Sequence, residues 1–226
     1  MYVRCFSDYL RDLDAMWNVF GLEATRTALL GHSFGSLIAA RFAETRPEKL
    51  AALVLLAPLL RLKTPVNPLL VAWGKLVSWF VPTVQFESRV DPKDTTRDEI
   101  SLAARDADPL IHTMVTCGWF FQMKAALTDV WNDVGSLRMP VLVAQWGADC
   151  IVDPEMVRPW LDRVPSADKE LKWFPDHYHE LHNEPGWIDT MSLIAEWLEV
   201  RLNGVEHSAV SLSADASRHL PTSAAR

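Results

Sequence analysis

Apolar residues recur at helical spacing near the start of the chain, at Phe6, Leu10, Leu13, Trp17 and Phe20. Ser7 or Asp8 supplies a start signal and Gly21 a stop, so a helix is predicted between them. A short apolar run at 27–30 reads as a buried strand. It leads into a predicted helix at 36–45, carrying the small residues Ala39, Ala40 and Ala43 and stopped by Pro47. Residues 51–57 are nearly all apolar, which suits a parallel strand covered on both faces. Helix, strand, helix, strand predicts an α/β fold with a mostly parallel sheet flanked by helices.

The pattern then changes. From 58 to about 135 no convincing strand appears, and 58–98 is rich in proline, tryptophan and apolar residues. Helices are predicted at 97–105 and 109–131, and the block 59–135 reads as a helical cap inserted over the sheet. Strand patterns return at 141–145 and 170–174, with helices at 154–163 and 187–202. The expected organisation is a first core part at 1–58, the cap, and a second core part at 136–203. Residues 204–226 are rich in Ser and Ala without apolar periodicity and are expected to be a disordered tail.

Composition narrows the classes. A chain of 226 residues that is 49% hydrophobic can bury a sizeable single core. The net charge is −7 and Lys and Arg are scattered, so nucleic acid is not an expected partner. Cys5, Cys117 and Cys150 form no Cys-x-x-Cys pair, which reads as reduced thiols of a cytoplasmic protein. The charged, amphipathic opening at 1–14 is unlike a secretory signal. The greasiest stretch, 66–81, contains Lys75 and falls short of the ~20 residues of a membrane-spanning helix.

The chemistry concentrates at Gly31-His32-Ser33-Phe34-Gly35, placed between a strand and a helix. Gly-x-Ser-x-Gly in that setting is a nucleophile elbow, a turn so tight that the serine hydroxyl is pushed outward. Gly31 and Gly35 are expected to let strand and helix approach closely. A serine needs a general base, and the base needs an orienting carboxylate. Downstream of the next strands stand Asp149 and His179, each at the carboxyl end of a strand, where open parallel sheets place their sites. Asp153 competes with Asp149, but Asp153-Pro154 reads as a helix start; His177 and His182 compete with His179. The helical spacing of histidines and carboxylates that would hold a metal is missing, and no cofactor is expected. Cys150 is expected to be a small buried residue, and Trp73, Trp79 and Phe80 to pack inward, membrane contact being the second reading.

These segments together resemble the monoglyceride lipase and lysophospholipase branch of the α/β-hydrolases. The resemblance rests on Gly31-His32-Ser33-Phe34-Gly35-Ser36, on Ala57-Pro58 and on the run from Pro140 to Asp149. It rests most specifically on Asp168-Lys169-Glu170-Leu171-Lys172 followed by Tyr178-His179-Glu180-Leu181-His182. It implies an α/β-hydrolase fold, with Ser33 as nucleophile, Asp149 as acid and His179 as base. It implies a small-molecule acyl ester as substrate, a monoacylglycerol or lysophospholipid first and small soluble esters second. It also implies a cap whose apolar face covers an acyl chain and can touch a membrane peripherally.

In that family several strands precede the first helix seen here and bring a His-Gly loop to half of the oxyanion hole. The other half is the N–H of Phe34. The expectation is therefore an N-terminally truncated hydrolase, and the competing reading is a non-catalytic remnant that keeps the triad residues.

Overall fold

The computed structural model describes residues 2–88 and 90–216, with side chains described as far as Asn203. Four strands form one wholly parallel sheet: β1 (Ala28–His32), β2 (Ala52–Leu56), β5 (Val141–Trp146) and β6 (Lys169–Phe174), side by side in that order. Each lies within two residues of its predicted position. His32 aligns with Leu56, Leu56 with Ala144 and Trp146 with Phe174, so the four carboxyl ends share one rim of the sheet. β2 and β5 are buried along their whole length, which is why β2 reads as an unbroken apolar run and β5 as one interrupted only by Gln145.

Helix α1 (Ser7–Phe20) ends at Gly21 in the left-handed region, φ 59°, as its stop signal requires. At the other end the Asp8 carboxylate accepts the Cys5 N–H, 3.1 Å. Helix α2 (Phe34–Thr45) starts directly behind β1 and packs on β1 and β2, with α1 and α5 (Cys117–Asn132) against it. Helix α6 (Val157–Arg163) packs on β5 and β6, and α7 (Trp187–Ala216) reaches β2. The helix expected to end at 202 has the bounds Trp187–Ala216. No proline interrupts 187–216, and a lone Gly204 costs a helix only about 1 kcal/mol. Residues 217–226 of the tail expected to be disordered lie outside the described residues.

The block 59–135 holds α3 (Pro68–Phe80), α4 (Glu99–Ala107) and α5, as the helical character predicts, but also two strands that the sequence pattern does not show. β3 (Gln85–Glu87) and β4 (Met114–Thr116) pair antiparallel, so 109–116 is not helical. The inner face of α5, with Met123, Ala126 and Val130, belongs to the same core cluster as β2 and β5. α3 is the opposite case. It buries none of its side chains, and Trp73, Trp79 and Phe80 are 68%, 84% and 78% exposed, so the expected inward packing is overturned. An apolar helix with nothing packed over its outer face has no core to enter. Among the described residues no helix is long and apolar enough to cross a membrane.

Candidate active site

Ser33 stands where β1 turns into α2, with φ 53° and ψ −119°, a strained backbone for a residue with a side chain. The turn is over-determined. Ser33 N–H donates to the Leu56 carbonyl at 2.9 Å, and the Ser33 carbonyl accepts from Ser36 and Leu37 N–H at 3.0 and 3.3 Å. The buried Ser36 hydroxyl lies 2.5 Å from the Gly31 carbonyl oxygen. Gly31 is required sterically, since a Cβ there would stand 2.6 Å from the Gly35 carbonyl carbon and 2.8 Å from Ser36 Cα. Gly35 is not, because a Cβ there meets nothing within 4 Å; the close approach expected of both glycines is made at Gly31 alone. Ala57, at the end of β2, also takes a positive φ, 40°.

His179 follows β6 and Asp149 follows β5, so the shared rim brings both to Ser33. His179 Nε2 lies 2.8 Å from Ser33 Oγ, and His179 Nδ1 lies 2.7 Å from Asp149 Oδ2. The carboxylate can only accept, so the proton sits on Nδ1 and Nε2 is left to accept the Ser33 O–H. Asp149 is buried, and its other oxygen accepts the N–H groups of Ile151 and Val152 at 2.8 and 3.0 Å. The competing residues are occupied elsewhere. Asp153 pairs with Arg61 and caps the turn at Glu155, 3.2 Å. His177 packs edge-on against Phe174, and His182 against His32. Cys150 is exposed, contrary to the expectation, and its thiol turns back to the Ala148 carbonyl.

His32 lies against both rings, 4.9 Å from His179 and 5.1 Å from His182. Burial and the neighbouring His179 push it down to about 4, so it is neutral at pH 7. Its Nε2–H donates to the His179 carbonyl at 2.9 Å, and the Trp146 indole N–H donates to the same oxygen at 2.8 Å. In the sequence neither residue carries a signal beyond its position, one beside Ser33 and one at the end of β5.

Phe34 opens α2, where the first N–H groups of a helix have no acceptor within it. Its ring meets Phe6, Tyr9 and Trp119, joining α1, the elbow and the cap in one aromatic wall. The Trp119 indole N–H donates to the Tyr9 hydroxyl at 3.2 Å. Among the described residues no group of His, Cys, Asp and Glu could hold a metal ion.

A parallel sheet with a strained serine behind one strand, and an acid and a histidine behind two others, is the arrangement of an α/β-hydrolase. The family model described as serine aminopeptidase, S33 matches residues 1–186, and the chain belongs to that family of serine hydrolases; with its monoglyceride lipase relatives it is an esterase- or lipase-type enzyme. Its relatives point to the monoglyceride lipase-like branch. The chain is 28% identical over 186 residues to phospholipase YtpA of Bacillus subtilis, which covers 81% of this chain and 72% of that protein. It is 30% identical over 189 residues to the monoglyceride lipase of Rattus norvegicus, covering 81% of this chain and 62% of the rat enzyme. The crystal structure of Paleococcus ferrophilus monoacylglycerol lipase superposes with a TM-score of 0.80 at 26% identity, over 86% of this chain and 75% of that one.

Proposed function

We propose that this chain cleaves carboxylic esters of lipid type, monoacylglycerols or lysophospholipids, through a Ser33-His179-Asp149 triad and an acyl-enzyme. The observation that carries the reading is the continuous hydrogen-bond line from Ser33 Oγ through His179 to the buried Asp149. As Ser33 Oγ bonds to the ester carbonyl carbon, its proton passes to His179 Nε2. Asp149 stabilises the imidazolium so formed. The proton then goes to the leaving alcohol oxygen as the C–O bond breaks. Water repeats the sequence on the acyl-enzyme and releases the acid. The N–H of Phe34 donates to the carbonyl oxygen as it gains charge. A single donor of this kind is worth about 10²–10³ in rate.

A lipid substrate is supported by the aromatic wall beside Ser33 and by the exposed apolar face of α3. The names of the relatives, a phospholipase and a monoglyceride lipase, point the same way. The family's description names a peptidase; an ester is preferred on the names of the relatives and on the aromatic wall beside Ser33. The same α3 face supports peripheral contact with a lipid surface, with the bulk of the molecule remaining in water.

The test is hydrolysis of a short-chain aryl ester, followed by monoacylglycerols of increasing chain length and an aminoacyl anilide. The expected result is a burst of alcohol release, a rise in kcat/KM with chain length and little anilide cleavage. Ser33→Ala should lower kcat by about 10⁶. A folded chain with no Ser33-dependent release would leave the remnant reading standing. A flat chain-length series would favour small soluble esters.

A further inference from the structure

One stretch of the cap holds the main chain on one side of His179 directly and on the other through Glu184. On one side, the Tyr178 N–H faces Glu184 Oε2 at 3.4 Å; on the other, the Glu180 N–H donates to the Thr95 carbonyl at 2.7 Å. Glu184 is fully buried, and Arg97 saturates its carboxylate. The Arg97 backbone N–H donates to Oε1 at 2.8 Å, and Nε and Nη2 donate to Oε2 at 2.9 and 2.6 Å. The Thr96 hydroxyl donates to the Asn183 carbonyl at 2.6 Å. The Arg97 guanidinium also lies over the Tyr178 ring, 5.1 Å from its centroid. Farther along, Arg105 of α4 pairs with Glu180 at 3.3 Å.

A carboxylate with no exposure is costly to bury unless its lone pairs are filled, and a two-point guanidinium contact fixes direction as well as energy. Arg97 and Glu184 meet both requirements without touching Ser33 or Asp149. We propose that Arg97 and Glu184 are positioning residues for His179: their ion pair locks the loop 178–184 to the cap segment 95–97 and so sets the imidazole between Ser33 and Asp149. This rests on the triad reading above. The cap is then part of the catalytic frame as well as a cover over the substrate. A displacement of about 1 Å in a reacting group costs on the order of 10²-fold in rate. Burial works to raise the Glu184 carboxyl, and the Arg97 hydrogen bonds outweigh it, holding the group below its ordinary value and ionised at neutral pH.

Glu184→Gln keeps the shape and removes the charge; Arg97→Ala removes the clamp and Arg97→Lys returns only the charge. The first readout is the downfield proton resonance of the His179 Nδ1–H, identified by its loss in His179→Ala, which needs no turnover. The second is the split between kcat and KM on the aryl ester, below the melting transition. The expected result is a broadened or upfield-shifted resonance in Glu184→Gln and Arg97→Ala. In both, kcat should fall about tenfold to a hundredfold with KM changed less than about threefold. Arg97→Lys should recover part of both signals. Folded variants with an unchanged resonance and kcat within about twofold of the parent would overturn the proposal. Should Glu184→Gln not fold, the Arg97 pair, at an exposed side chain, decides by the same criteria. A parent protein with no esterase activity overturns the hydrolase reading alone, because the resonance still reports whether the clamp sets the histidine.

Discussion

A methyl group added at Gly31 would meet the Gly35 carbonyl and Ser36 Cα, whereas one added at Gly35 would meet nothing within 4 Å. The two glycines of one motif therefore differ in what they do. Gly31→Ala should destabilise by about 1–3 kcal/mol, as overpacking does, while Gly35→Ala should be neutral or stabilise α2 by up to about 1 kcal/mol. Urea denaturation of both variants checks this, and equal losses would mean that the close approach is shared after all. His32 supports a prediction with a definite sign. Its folded value of about 4 lies below the ordinary 6.5, so the stability it contributes is present above about 6.5 and is lost as the pH falls towards about 4. His32→Gln keeps a donor for the His179 carbonyl and cannot titrate. It should flatten that part of the stability–pH curve by about 3 kcal/mol, seen as a smaller fall in Tm between pH 6.5 and 4. At this scale the meeting of Ser33, Asp149 and His179 at one rim was legible because each follows a strand of the parallel sheet. His32, Trp146 and Glu184 were not, because their work is done through hydrogen bonds to the backbone of another loop, and residue type and spacing carry no trace of that.

The two central strands could be read from the chain because β2 and β5 are buried on both faces and leave apolar runs, broken in β5 only by Gln145. β3 and β4 left no such trace: with three residues each they are shorter than any periodicity that could mark them. For α3 the composition was plain but the direction was not. Hydropathy says that Leu69, Trp73, Leu76, Trp79 and Phe80 avoid water, and only the tertiary structure shows that nothing covers them. Such a face with tryptophans suits the boundary between lipid headgroups and acyl chains. The paired variant Trp73→Ser and Trp79→Ser should lower affinity for phosphatidylcholine vesicles at least about tenfold in a cosedimentation assay. Its unfolding free energy should stay within about 0.5 kcal/mol of the parent, as for other exposed positions. A loss of stability with unchanged vesicle binding would return the two indoles to the core.

Over the whole molecule, the parts that look separable in sequence share one interior. α5 lies within the block expected to be a cap, yet Met123, Ala126 and Val130 sit in the same buried cluster as Leu53, Leu55 and Val143 of the sheet. The Trp160 indole N–H donates to the Val130 carbonyl at 3.0 Å, and Arg41 of α2 reaches Asp133 just beyond α5 at 2.8 Å. α3 and α4 bury no residue at all. Cooperative units follow buried apolar contact, so local opening should divide the cap internally. In native-state hydrogen exchange the amides of α5 should open with the same free energy as those of β2 and β5. Those of α3 and α4 should exchange earlier, through openings that cost several kcal/mol less. The paired variant on α3 should leave the slow class untouched, while Val130→Ala, which removes two methyl groups from the shared core, should lower α5 and the sheet together by about 2 kcal/mol. Exchange of α5 with α3 and α4, ahead of the sheet, would mean that the whole block 59–135 opens as one body. The grip of 95–97 on the His179 loop would then have to break each time that body opened.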